Sequence, residues 1–160
     1  MSNIKNEYER AKALSNLAPH LPENLFPEAL AVARNIGNEN QRAEALSNLA
    51  PHLPENLFPE ELAAARNIRD KYQRAKALSN LAPHLPENLF PKAKAAARNI
   101  GDENQRAKAL SNLAPHLPEN LFPKAKAAAR NIGDENYRAR ALSNLNRSLA
   151  KVKKSGRKST

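Results

Sequence analysis

The decapeptide APHLPENLFP stands at Ala18–Pro27, Ala50–Pro59, Ala82–Pro91 and Ala114–Pro123 without a single change. Its prolines decide the fold. Each lacks an N–H and restricts the residue before it, so a helix arriving at Ala18 stops at Pro19 and Pro22. Pro22 suits the first position of a following helix. Pro27 falls too far into that helix to be free, which predicts a kink, or a short turn and then the main helix. The decapeptide therefore reads as the corner between two antiparallel helices.

Around the corner nearly everything recurs every 32 residues, as Arg10, Arg42, Arg74, Arg106 and Arg138 show. A fixed period of this size signals a solenoid, in which each repeat buries its apolar face against its neighbours. Before the corner, Ala11, Leu14, Leu17, Ala18 and Leu21 fall on one helical stripe, opposite Lys12 and Asn16. Asp102 with Gln105, and Asp134 with Tyr137, sit where an N-cap belongs and resemble a capping box. After the corner, Leu25, Ala29, Val32, Ala33 and Ile36 form the expected buried stripe, with Phe26 at its edge. Gly37 is expected to close this second helix in the left-handed region. Arg69 stands where the other copies have Gly37, Gly101 and Gly133. In that conformation it would cost about 1 kcal/mol, which predicts a looser junction between the second and third repeats.

The fold class is thus all-α: an α-solenoid of about 4.5 tandem helix-turn-helix repeats and nine helices. The repeats are 10–41, 42–73, 74–105 and 106–137, with a half repeat at 138–152, all in one domain over 1–152. After Leu145 the corner is replaced by NRSLAKVKKSGRKST, so the last helix is expected to run to about Val152. Residues 153–160 are expected to form a basic disordered tail.

The segment RAKALSNLAPHLPENLFPEALAVARNI, with its RAxAL, LAPHLP and ARxI skeleton, resembles a helical-hairpin repeat of large bacterial multidomain proteins, notably cyanobacterial ones. These belong beside the TPR and HEAT class of α-solenoids. The resemblance covers about residues 8–146 and departs from that pattern at Asn16, Asn24 and Asn35. In such proteins the arrays accompany signalling NTPase modules, so the resemblance implies an interaction array rather than an activity. No GxxxxGK[ST] occurs here, and the aromatic and glycine pair of a TPR first helix is missing.

Composition narrows the rest. The chain has no Cys or Trp, one Met, three Tyr and four Phe. That excludes a disulfide scaffold and thiolate metal sites, and points to slender, Ala- and Leu-rich helix packing. No apolar run approaches the length a membrane helix needs, and the start lacks a signal-peptide core, so the expectation is a cytoplasmic protein with no membrane partner. His20, His52, His84 and His116 recur one repeat apart, at a helix spacing of about 10 Å that is too wide for a shared metal ion. Ser15 and its copies lie mid-helix, and no carboxylate pair suggests acid–base chemistry. No catalytic, cofactor or metal site is expected.

Charge carries the functional signal. Residues 1–73 have a net charge of −2 and residues 74–160 of +12. PEALAVAR and PEELAAAR of the first two repeats become PKAKAAAR in the next two. This places Lys92, Lys94, Arg98, Lys124, Lys126 and Arg130 on the second helices, with Lys94 beside Arg98 at the flank of the buried stripe. Lys76, Lys108 and Arg140 join them from the first helices, and Arg147, Lys151, Lys153 and Lys154 from the extension. The expected function is a non-enzymatic scaffold binding a protein partner, an acidic surface or peptide, through this basic half. The alternative is nucleic acid held by its phosphate backbone; only Tyr72 and Tyr137 accompany the cations, so no stacking platform supports it. The unlike halves also suit head-to-tail self-association. Row by row, Arg10 and its copies have three readings: a carboxylate at Asp102, the last carbonyls of the preceding helix, or a ligand.

Overall fold

The computed structural model describes residues 4–158, and the described residues hold nine α-helices and no strand. They are α1 (Ile4–Leu17), α2 (Phe26–Arg34), α3 (Glu39–Leu49), α4 (Phe58–Arg66), α5 (Lys71–Leu81), α6 (Phe90–Arg98), α7 (Glu103–Leu113), α8 (Phe122–Arg130) and α9 (Glu135–Lys158). Odd-numbered helices are the first of each repeat, even-numbered ones the second. The fold is an all-helical repeat solenoid.

The corner is built as its prolines require. Helix α1 tightens into a 3-10 turn at Ala18–His20, and Leu21 and Pro22 are extended, with ψ of 135° and 148°. A second 3-10 turn at Glu23–Leu25 follows, closed by the Leu25 amide donating to the Pro22 carbonyl at 3.0 Å. Helix α2 then starts at Phe26, so Pro27 sits in its first turn, where its missing N–H has no partner to lose. The helix does not open at Pro22: a short turn precedes it, and the later copies repeat this geometry.

Chain packing gives two units, residues 1–86 and 87–160. In the first, α1 lies along α3 and α3 along α5, while α2 rests on α3 and α4 on both α3 and α5. In the second, α6 rests on α7, and α7 and α8 lie against α9. Phe26, Phe58, Phe90 and Phe122 are all buried. Leu30 and Leu62 are also core, at 0% and 1% exposure, and were missed by the expected stripe. Ala64, Ala96 and Ala128 pack where Val32 stands, which keeps the helices close.

Each first helix after α1 is N-capped as expected. The side chains of Asn38, Asp70 and Asp102 accept from the amides of Gln41, Gln73 and Gln105, and Asp134 accepts from Tyr137. Gly37 does not close a helix in the left-handed region, because no described residue has a positive φ. Asn35 caps α2 instead, in the right-handed region. The amides of Gly37 and Asn38 donate to the two carboxylate oxygens of Glu7, one repeat earlier, at 3.1 and 3.0 Å. Glu39 receives Arg69 and Asp70 in the same way (3.1 and 2.6 Å), and Glu103 receives Gly133 and Asp134 (3.0 and 2.8 Å). A Cβ at Gly37 or Gly133 would approach one oxygen of that carboxylate to 2.8 Å, yet Arg69 makes the same bonds with its Cβ in place. The carboxylate end is flexible enough to move. The expected strain at Arg69, and the looser junction built on it, therefore lose their basis.

Helix α9 runs through Lys158, six residues past Val152, where the repeat pattern would end it and where a disordered tail over 153–160 was expected. Without prolines nothing stops the helix, and it packs on the preceding corner and on α8. Residues 159–160 lie outside the described residues.

Candidate functional site

The arginine row is committed to the fold. Arg42, Arg74, Arg106 and Arg138 each donate from Nη1 to the carbonyl of the isoleucine that ends the previous repeat, Ile36, Ile68, Ile100 and Ile132, at 2.6–2.8 Å. Glu103 also lies beside Arg106, at 4.0 Å, as Glu39 does beside Arg42 at 3.5 Å. Of the three readings the carbonyls win, since a buried carbonyl without a donor costs about 1–3 kcal/mol. The histidines at the corners are exposed, and among the described residues no group of three His, Cys, Asp or Glu could hold a metal ion.

The cations separate into three sets. Lys76 is exposed on α5, in the first unit, which holds ten charges of each sign. Lys108 and Arg140 are exposed on α7 and α9 of the second unit, which holds sixteen basic against six acidic residues. The third set lies on α6, α8 and the C-terminal part of α9, and it converges.

Within that set Lys94 is not a surface residue. It occupies the core position of Leu30 and Leu62 and is 8% exposed. Burial lowers its ammonium pKa, and the nearby charges of Lys124 and Arg98 lower it further. It stands where the leucine does in the first two repeats, close enough to Lys124 and Arg98 for their charges to act on its ammonium. Three like charges brought this close are stabilised by an anion. Lys92, Lys124, Arg98 and Arg130 are exposed and Lys126 is half-buried.

Lys126 and Arg130 of α8 and Lys153 of α9 line one groove with Glu119, Phe122, Pro123 and Leu149, enclosing about 370 Å³. Its floor is apolar and its rim carries three cations and one carboxylate. Sequence reasoning named the cations but missed the groove, because it ended the helix at Val152 and left Lys153 in a tail. The signal was there: Leu145, Leu149 and Val152 continue the apolar stripe at helical spacing. Arg147, Lys151 and Lys154 are exposed on the same extension.

Two other grooves are less suited to bind. Ala31, Arg34, Asn35, Arg42, Ala64 and Asn67 surround about 410 Å³ in the first unit, but Arg42 already serves two carbonyls. Glu87, Asn88, Pro91, Pro118, Asn120 and Leu121 surround about 390 Å³ without a cation.

Compared with family models, curated proteins and solved structures, the chain matches none. Among the described residues no helix is long and apolar enough to cross a membrane.

Proposed function

We propose that this chain is a non-enzymatic scaffold of the TPR and HEAT kind, working in the cytoplasm. It binds an acidic protein segment on the basic face of α6, α8 and the end of α9. The observation that carries this reading is the groove between α8 and α9, where Lys126, Arg130 and Lys153 surround the apolar side chains of Phe122, Pro123 and Leu149. A cation-rimmed apolar trough suits a carboxylate-flanked hydrophobic side chain, with the cluster of Lys94, Arg98 and Lys124 drawing in further acidic residues. A phosphate backbone would use the cations and leave the apolar floor idle.

The test is a fluorescence titration of two labelled probes over a salt series: a peptide alternating glutamate with leucine, and a random-sequence DNA duplex. The expected result is tighter binding of the peptide, weakened at least tenfold by Lys126→Glu with Lys153→Glu. Tighter binding of DNA, with a salt slope equivalent to several phosphates, would replace this reading with the nucleic-acid one. Absence of binding to either probe at low salt would overturn both.

A further inference from the structure

The packing between successive first helices can be followed residue by residue inside the chain. Ser15 of α1 accepts from Asn48 Nδ2 of α3 at 2.8 Å, and Ser47 of α3 accepts from Asn80 of α5 at 3.2 Å. In this stack α1 and α3 face forward with the serine, and α3 and α5 face back with the asparagine. On the backward side Ala45 and Ala77 are at most 3% exposed, and Leu49 and Leu81 at most 2%. Around the serine, Ala11, Ala43, Ala75 and Ala107 are at most 3% exposed, and Leu46, Leu78 and Leu110 at most 1%.

The first and last of these helices each show one side uncovered. On α1 the backward residues Ala13, Asn16 and Leu17 are exposed, Leu17 at 52%. The adjoining Leu25 and Val32 are 38% and 39% exposed, although Leu57, Leu89 and Leu121 are buried at the same position as Leu25. On α9 the residues at the alanine, leucine and serine positions are Ala139, Leu142 and Ser143. Ala139 and Ser143 are exposed, and Leu142 is half-buried. The extension of α9 leaves this side open, because it packs on α7, on α8 and on the turns before it.

We infer that a second copy of this chain occupies the open side of α1, with its own α9 as the docking helix. The contact repeats the one between α1 and α3: Ala139 and Leu142 of one copy cover Ala13 and Leu17 of the next, and Asn16 donates to Ser143. Because the two sides differ, the contact is heterologous and each added copy presents the same open side again. It uses neither the α8–α9 groove nor its cations, so it is independent of the proposed function.

Sedimentation of the full chain across a concentration series tests it. Growth beyond the monomer mass with concentration is expected. Ala13→Glu and Ala139→Glu change exposed residues on opposite sides, and each alone should abolish that growth while leaving the helical circular dichroism unchanged. An equimolar mixture of the two variants should then form a dimer and stop there, since it restores one intact contact. A wild-type chain that stays monomeric at several hundred micromolar (about a hundred times a micromolar Kd) would overturn the inference. So would association that survives both substitutions, or a mixture that stays monomeric. Were a variant to lose its helicity, Leu17→Lys and Ser143→Lys would replace the pair and be judged by the same outcomes.

Discussion

Glu61 is the residue that least fits its surroundings. It stands on α4 where the other repeats have Ala29, Ala93 and Ala125, it is 1% exposed, and neither carboxylate oxygen has a hydrogen-bond partner. Burial alone pushes its pKa up to about 9 from the ordinary 4.5. The folded state thus holds a proton that the unfolded state releases above pH 4.5. Between those two values the unfolded state binds fewer protons, so stability falls as pH rises and levels off above about pH 9, with a slope of at most about 1.4 kcal/mol per pH unit. Glu61→Ala, which restores the repeat, should raise the urea midpoint at pH 8 and flatten its decline between pH 5 and 9. A wild-type decline unchanged in the variant would show that Glu61 is not its source. The carboxyl was visible in the sequence as PEELAAAR, and so was its burial, since the expected stripe includes Ala29, its counterpart in the first repeat. That stripe left out the position of Leu30 and Leu62, and with it the burial of Lys94. Lys94→Leu places the side chain of the first two repeats in a pocket that already fits it, and should stabilise the fold by about 1–2 kcal/mol, read as a shift in the same midpoint.

Among the elements, the first helices were legible because their caps are local: an Asn or Asp, three residues before a glutamine or tyrosine amide. What crosses from one repeat to the next was not. Glu7, Glu39 and Glu103 recur at the repeat period, with Lys71 at the same register, and only the structure shows their carboxylates gripping the amides at the start of the next first helix. An anion there satisfies two orphan amides and meets the positive end of the helix. Glu39→Ala should cost about 1–2 kcal/mol and speed hydrogen exchange at Arg69 and Asp70, while Glu44→Ala, exposed on the same helix, should change neither. Equal exchange in both variants would deny Glu39 this part. The arginines are a second coupling of the same kind. Arg106→Ala strips the Ile100 carbonyl of its guanidinium donor and should cost about 1.5–3 kcal/mol, against less than about 0.5 kcal/mol for Lys108→Ala; matching losses would place Arg106 outside the fold's framework.

On the scale of the molecule, identical corners hide unlike halves. Residues 1–86 carry no net charge, while residues 87–160 carry +10. The period made the architecture readable from sequence, since any set of near-identical hairpins must bury its faces on neighbours. The face was readable only in part: charge counts located the basic half, but not which cations converge, because that depends on α9 running straight onto α8. The account rests on that face binding an acidic segment. Its most direct test replaces Lys92, Lys94, Lys124 and Lys126 by the Glu, Leu, Glu and Leu of the first repeat, whose core already accepts Leu30 at the position of Lys94 and Lys126. The glutamate–leucine peptide is then titrated into both proteins at low salt. A variant that keeps its helicity and loses the peptide is the predicted result; one that binds it as tightly as the wild type would contradict the account.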